Sequence, residues 1–162
     1  MRRGICTACN KVDTIQKRKP PTSFMDKGLL QYDVRLLLAL QQSIAGSKDF
    51  FEYLIQACPE LAAFCNFLQE DNEAEDWLVK NGFAWLGLMS HAIDGDRRAR
   101  TWVLKNLHQA NFMFCLACRK DDKAISWLRF MDLEIFLRLA NEVADLRNKQ
   151  ELDACFPYKM RF

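Results

Sequence analysis

The sequence predicts an all-α protein, built as an up-and-down helical bundle or a short helical array. Three observations support this fold class. From Leu29 onward, apolar residues recur at steps of three and four, the period of an amphipathic helix. Half of the 162 residues are hydrophobic, which is enough for one core without metals or disulfides. The second half of the chain also repeats itself every 25 residues.

The first 28 residues differ in character from the rest of the chain. They carry seven basic and two acidic side chains, a net charge of +5, whereas residues 29–162 carry a net charge of −3. The basic run Lys17-Arg18-Lys19 leads into Pro20-Pro21, and no apolar period is sustained. We therefore expect an irregular basic arm at 1–28, followed by a helical domain at 29–162.

Helix boundary signals are clear in the first part of that domain. Gly46 is placed to end the helix that starts near Leu29. Ser47 can then cap a short helix, and Pro59 suits the first residue of the next one.

The repeat is carried by several columns of equivalent residues. Trp77, Trp102 and Trp127 lie 25 residues apart. Other columns keep the same register: Asp71, Asp96 and Asp121; Ala74, Ala99 and Ala124; Leu78, Val103 and Leu128; Ile93, Cys118 and Val143. We number the units 1 to 4, at 46–70, 71–95, 96–120 and 121–145; unit 1 lacks the tryptophan.

Each unit is expected to hold an acidic cap, one helix of about 20 residues and a polar break. A 25-residue unit is short for a helical hairpin, since the familiar hairpin repeats run from about 33 residues. Short connections favour antiparallel neighbours. The alternative is coincidence among tryptophan-rich helices of similar length. In both cases Trp77, Trp102 and Trp127 are predicted core residues.

Two cysteine pairs form a candidate metal site. Cys6 and Cys9 lie on the irregular arm with the spacing at which two thiolates can chelate one zinc ion. Cys115 and Cys118 share a helix face, and His108 is the most suitable substitute ligand.

The competing interpretation is that Cys118 is a core residue, because its column also holds Ile93 and Val143. We therefore expect no cofactor, and keep zinc at Cys6 and Cys9 as the alternative.

A second candidate site would bind anions. Arg97, Arg98 and Arg100 stand at a predicted helix start, where positive charge opposes the helix dipole. Free backbone N–H groups with three guanidinium groups suit a phosphate. The alternative is pairing with Asp94, Asp96 or other acidic neighbours. With the arm, these arginines would form one positive surface for nucleic acid; the arm residues are Arg2, Arg3, Lys11, Lys17, Arg18 and Lys19.

The leading functional hypothesis is a non-enzymatic helical protein that mediates protein–protein interactions or acts as an adaptor. No catalytic residue is predicted, because the chain has two histidines and no nucleophile elbow or phosphate-cradling glycine loop. The alternative is a nucleic-acid-binding regulatory protein that uses the arm and the arginine cluster. A third hypothesis is a thiol- or metal-dependent enzyme that uses Cys115 or Cys118 with His108.

The expected partner is another protein or a second copy of the chain, with nucleic acid as the alternative and no membrane. The tail from Cys155 to Phe162 is apolar and basic, and is expected to fold back on the bundle or to bind a partner. Seven scattered cysteines and the lack of an export signal favour an intracellular, reducing compartment, cytoplasmic or nuclear.

Overall fold

The computed structural model of this chain describes residues 27–155. Over that range it confirms an all-α helical array, with one 3₁₀ helix and nine α-helices. The 3₁₀ helix spans Gly28–Gln31. The α-helices are α1 (Val34–Ile44), α2 (Lys48–Ala57), α3 (Pro59–Leu68), α4 (Asn72–Lys80), α5 (Ala84–Ile93), α6 (Arg97–Asn106), α7 (Gln109–Ala117), α8 (Asp122–Phe130) and α9 (Glu134–Cys155).

Each repeat unit holds two short helices, so the prediction of one helix per unit is wrong. Units 1, 2 and 3 contain the pairs α2–α3, α4–α5 and α6–α7, and unit 4 contains α8 and the first half of α9. The second helices of the units start exactly one repeat apart, at Pro59, Ala84, Gln109 and Glu134. The repeat is therefore a helical hairpin, which includes the degenerate unit 1.

A tight turn divides each of the last three units. Gly82 (φ 86°) and Asp132 (φ 56°) reverse the chain in units 2 and 4 through the left-handed region. In unit 3 the chain passes through the extended backbone of Leu107, and His108 caps α7 by accepting the Ala110 N–H at Nδ1. Both helices of a unit face the same core, so the apolar steps of three and four continue across the turn and resemble one long helix.

The connections between units follow one pattern, which confirms the predicted acidic caps. The residues before the caps adopt positive φ; they are Glu70, Gly95 and Lys120. The carboxylates of Asp71, Asp96 and Asp121 then accept a backbone N–H of the following first turn at 2.9–3.0 Å.

The helices form an inner and an outer layer. The inner helices α3, α5 and α7 are mostly buried, and α5 buries eight of its ten residues. The outer helices α4, α6 and α8 each bury only an i, i+4 pair; these pairs are Ala74 and Leu78, Ala99 and Val103, and Ala124 and Leu128. Each outer helix lies across two successive inner helices.

Helix α9 joins the ends of the array, because it packs against α1 as well as α7 and α8. It has 22 residues, and its last fully buried residue is Ala144; beyond it Leu146 still packs against the core, and residues 151–155 are exposed. Across residues 27–155, no helix combines the length and the apolar character that a membrane span requires.

The three repeated tryptophans lie at the border of the core, and of the three only Trp77 departs from the predicted core position. Trp102 and Trp127 are half-buried and pack against core residues, whereas Trp77 is 37% exposed. The tryptophan comes one residue before the fully buried leucine or valine, which places it about 100° round the helix from the buried direction. Each ring therefore covers the flank of its outer helix.

Candidate functional site

An apolar groove lies between the outer helices α2 and α4, with α3 as its floor. We call it the α2–α4 groove. Its volume is about 420 Å³, at the lower end of the pockets that hold small ligands. It is lined by Phe51, Ile55, Pro59, Ala62, Ala63, Asn66, Asp71, Glu73, Ala74 and Trp77.

The walls of the groove expose large apolar side chains at fixed positions. Ile55 of α2 is 50% exposed, Trp77 of α4 is 37% exposed, and both line the groove. The Trp77 ring stacks on Phe83, with ring centroids 6.4 Å apart and planes 3° apart. This parallel contact holds the indole in one orientation.

One end of the groove is acidic. Asp71 and Glu73 contribute to its lining at the start of α4, where Asp71 also caps the helix. Small residues of α3, Ala62 and Ala63, leave the floor open. The groove therefore suits a segment that combines a large apolar side chain with a positive charge.

A second apolar surface protrudes at the turn between α8 and α9. Phe130 is 86% exposed and Met131 is 45% exposed; we call this pair the apolar tip. The equivalent residues in units 2 and 3 are polar, Lys80-Asn81 and Lys105-Asn106. Sequence inspection passed over the tip, although this departure from the repeat was visible in the chain.

The predicted metal ligands are not assembled within the described residues. Cys6 and Cys9 lie outside them. Cys115 and Cys118 are buried in the core, while His108 is exposed. Between residues 27 and 155, no group of three or more His, Cys, Asp or Glu residues is placed to hold a metal ion.

Burial also governs the chemistry of the thiols. Desolvation raises the pKa of Cys115 to about 12 and raises that of Cys118 well above its usual value. Desolvation likewise raises the pKa of Cys58 and of Cys65 to about 12. These four buried thiols are therefore protonated near neutral pH, and none of them offers the exposed thiolate that nucleophilic catalysis needs.

The arginine cluster is only partly exposed. Arg97 and Arg98 lie on the surface, and Arg100 donates from Nε to the Ala92 carbonyl at 3.0 Å. Asp94, predicted as their alternative partner, pairs instead with Arg147, and Asp96 caps α6.

The end of the predicted arm is fixed to the domain by a buried asparagine. Asn111 of α7 accepts the Leu29 N–H at 2.8 Å and donates to the carbonyls of Lys27 and His108 at 3.0 Å. Gly28, with φ 60°, leaves room for the Asn111 side chain. Lys27 is therefore held beside the start of α7.

This position bears on the predicted positive surface. Arg97 begins α6, a helix about 15 Å long, whereas the Lys27 carbonyl is bonded to Asn111 in the first turn of α7, which follows the other end of α6. The described part of the arm and the arginine cluster are therefore separate. The other predicted arm residues, Arg2, Arg3, Lys11, Lys17, Arg18 and Lys19, lie outside the described residues.

Arg147 makes the most extensive contact that sequence reasoning missed. Its Nε lies 2.9 Å from Asp94 Oδ1, and its Nη1 donates to the Leu68 carbonyl at 2.9 Å and to Gln150 Oε1 at 2.7 Å. It thereby joins α9 to the carboxyl ends of α3 and α5. Its partners Leu68 and Asp94 are 79 and 53 residues away in the chain, so no local pattern indicated them.

Comparison of this chain with known protein families, with curated proteins and with solved structures gave no match. The site is therefore interpreted from its own geometry.

Proposed function

We propose that this chain is a non-enzymatic helical-repeat protein that binds a protein partner in its α2–α4 groove. The observation that carries the proposal is the pairing of Ile55 and Trp77, two large apolar side chains half-exposed in the lining of a groove with an open alanine floor. Isolated exposed apolar residues are ordinary on protein surfaces, but apolar residues that converge in a concavity are typical of binding sites.

The energetics suit a protein ligand of modest affinity. Full burial of an isoleucine side chain contributes about 1.5–3 kcal/mol, so covering the exposed half of Ile55 contributes about 1 kcal/mol. Aromatic residues such as Trp77 commonly dominate binding energy at the centres of interfaces. Its ring is already held by Phe83, so little conformational entropy is lost when a ligand covers it.

The experiment uses a phage library of random peptides, about 12 residues long, panned against the full-length protein. Twelve extended residues span about 40 Å, enough to cross the groove. The affinity of enriched peptides is then measured by fluorescence anisotropy for the wild type and for Ile55→Lys. The control variant is Leu104→Lys, on the outer helix α6, where the side chain is 48% exposed and does not line the groove.

We expect enriched peptides to bind Ile55→Lys at least tenfold more weakly than the wild type, because a lysine in the groove wall interrupts its apolar surface. Leu104→Lys should leave binding unchanged. Circular dichroism should give identical helicity for all three proteins, since both changes lie at exposed positions. The proposal fails if no peptide is enriched, or if both variants bind the enriched peptides as the wild type does.

A further inference from the structure

The strongest clue to the identity of the partner is the apolar tip. Phe130 is 86% exposed on a turn with a defined structure: Met131 N–H donates to Trp127 O, and Leu133 N–H donates to Leu128 O, both at 3.0 Å. Asp132 closes the turn with φ 56°. The phenyl ring is therefore presented to solvent by a rigid backbone.

Unit 2, whose turn also passes through positive φ, shows that this turn does not require apolar residues. Where unit 4 has Phe130-Met131, units 2 and 3 have lysine followed by asparagine. Both asparagines cap their helix: Asn81 Nδ2 donates to Trp77 O at 2.8 Å, and Asn106 Nδ2 donates to Trp102 O at 2.9 Å. A methionine side chain cannot make this bond.

Unit 4 therefore lacks the side-chain bond to the helix end that units 2 and 3 make, and it places a phenyl ring in water. An exposed phenyl ring does not stabilise the described fold. A departure from a local rule without a gain in stability points to an interaction outside the fold.

We propose that the apolar tip of one copy inserts into the α2–α4 groove of a second copy of this chain. This inference rests on the proposed function, and it names the partner. Exposed charges flank the tip on both sides, Arg129 before it and Asp132 after it, and the groove has an acidic end formed by Asp71 and Glu73. In the proposed contact Arg129 faces that acidic end and Asp132 lies away from it. An aromatic side chain with an adjacent positive charge is the chemistry that the groove suits.

The topology allows two forms of the complex. The groove belongs to units 1 and 2, and the tip belongs to unit 4, so the two surfaces are distinct. Two copies either insert their tips into each other and form a closed dimer, or associate head to tail, so that each end of the assembly keeps one unused tip or groove. In both forms the mass of the wild type should increase with protein concentration, and only the head-to-tail form continues beyond the dimer.

The experiment is sedimentation velocity of the full-length protein over a hundredfold range of concentration. The tip variant is the double substitution Phe130→Lys and Met131→Asn, which restores the residues of units 2 and 3. The groove variant is Ile55→Lys, and the control is Leu104→Lys. The tip variant also regains the capping asparagine, so its thermal stability should equal or exceed that of the wild type, which excludes unfolding as the cause of any loss.

We expect the wild type and the control to associate, and each of the two variants to remain monomeric. An equimolar mixture of the tip and groove variants should form dimers and nothing larger, because the mixture holds one intact groove and one intact tip in each pair. This rescue is specific to insertion of a tip into a groove.

Three results would overturn the inference: a wild type that stays monomeric at every concentration, association that persists in the tip variant, or a mixture that fails to dimerise. The second would show that association does not need the tip, and the third would show that the tip of one variant does not enter the groove of the other. If groove-binding peptides are found but the wild type is monomeric, the inference fails and the proposed function stands.

Discussion

Replacement of Asn111 by alanine should loosen the attachment of the N-terminal segment and lower the stability of the whole domain. The Asn111 side chain is fully buried and is the hydrogen-bond partner of the Leu29 N–H, which is also buried. The carbonyls of Lys27 and His108 keep other donors after the substitution, namely the N–H groups of Leu30 and of residue 111 itself. The Leu29 N–H alone is left without a partner.

The size of the effect follows from that orphaned donor. A buried N–H that loses its acceptor costs about 1–3 kcal/mol, and each lost hydrogen bond contributes about 1 kcal/mol. We expect the free energy of unfolding to decrease by about 2–3 kcal/mol, which for a chain of this size lowers the Tm by about 5–10 °C. Gln109→Ala, at an exposed position on the same helix, is the control and should change it by less than about 0.5 kcal/mol.

The assay is urea denaturation followed by circular dichroism, with the free energy taken by linear extrapolation. A companion variant, Asn111→Asp, keeps the acceptor for Leu29 but places a buried carboxylate oxygen against two carbonyl oxygens. Burial and those oxygens should raise the pKa of the introduced carboxyl in the folded state. The folded state then binds the proton more tightly than the unfolded state. The loss of unfolding free energy in this variant, relative to the wild type, should therefore grow as the pH rises from the pKa of the unfolded carboxyl through the raised pKa of the folded one, and shrink as the pH falls.

Two results would refute this reasoning. One is a midpoint for Asn111→Ala that matches the Gln109→Ala control, which would mean that Leu29 is not held by this bond. The other is a pH-independent deficit for Asn111→Asp, which would mean that the side chain lies in water.

The same packing sets the result of other substitutions and of thiol labelling. Gly28→Ala would place a Cβ 2.5 Å from Asn111 Oδ1 at a positive φ. In urea denaturation it should lower the free energy of unfolding by more than about 1–2 kcal/mol in the wild type, where strain and clash both act, and by about 1–2 kcal/mol in the Asn111→Ala background, where only the backbone strain remains. Leu78→Ala should lower the free energy of unfolding by about 2–5 kcal/mol, whereas Trp77→Ala should lower it by about 1–2 kcal/mol, because the Trp77 ring is already partly exposed to water. Equal losses would contradict the placement of Leu78 inside the core and of Trp77 at its border. Arg147→Met should lower the free energy of unfolding by about 1–2 kcal/mol and the Tm by a few degrees, because the Asp94 carboxylate loses this donor, while the Leu68 carbonyl keeps Gln150 Nε2; an unchanged Tm would count against the contact. In peptide mapping by mass spectrometry, the four buried thiols should resist iodoacetamide between about pH 7 and 9, while the exposed Cys155 should be labelled; labelling of the core thiols in the native protein would contradict their burial.

The fold class and the unit boundaries could be predicted from the sequence because they depend on local signals. Asp71, Asp96 and Asp121 stand one repeat apart as helix caps, and Pro59 begins a helix as a proline should. The middle of each unit could not be placed in this way. Only Asn81-Gly82 has the residues of a turn, whereas unit 3 turns through an ordinary leucine and unit 4 through Asp132 at positive φ.

The error in the tryptophan prediction has a related cause. A helix of about 20 residues needs a wide apolar stripe, and such a stripe would include both Trp77 and Leu78. An outer helix of nine residues that rests on two inner helices needs only one buried pair, so Ala74 and Leu78 suffice. The error in helix length therefore produced the error in burial.

The repeated units also serve as comparisons for one another, because they place different residues in equivalent backbone positions. Units 2 and 3 agree in the asparagines whose side chains donate to the carbonyls of Trp77 and Trp102, and the stability of the hairpin explains this shared residue. Where unit 4 departs from them, the requirements of that hairpin do not explain Phe130. The groove shows the same contrast, because Trp77 is more exposed than Trp102 or Trp127 at equivalent positions. Residues that depart from the repeat and are exposed are the ones for which an interaction beyond the fold has to be sought.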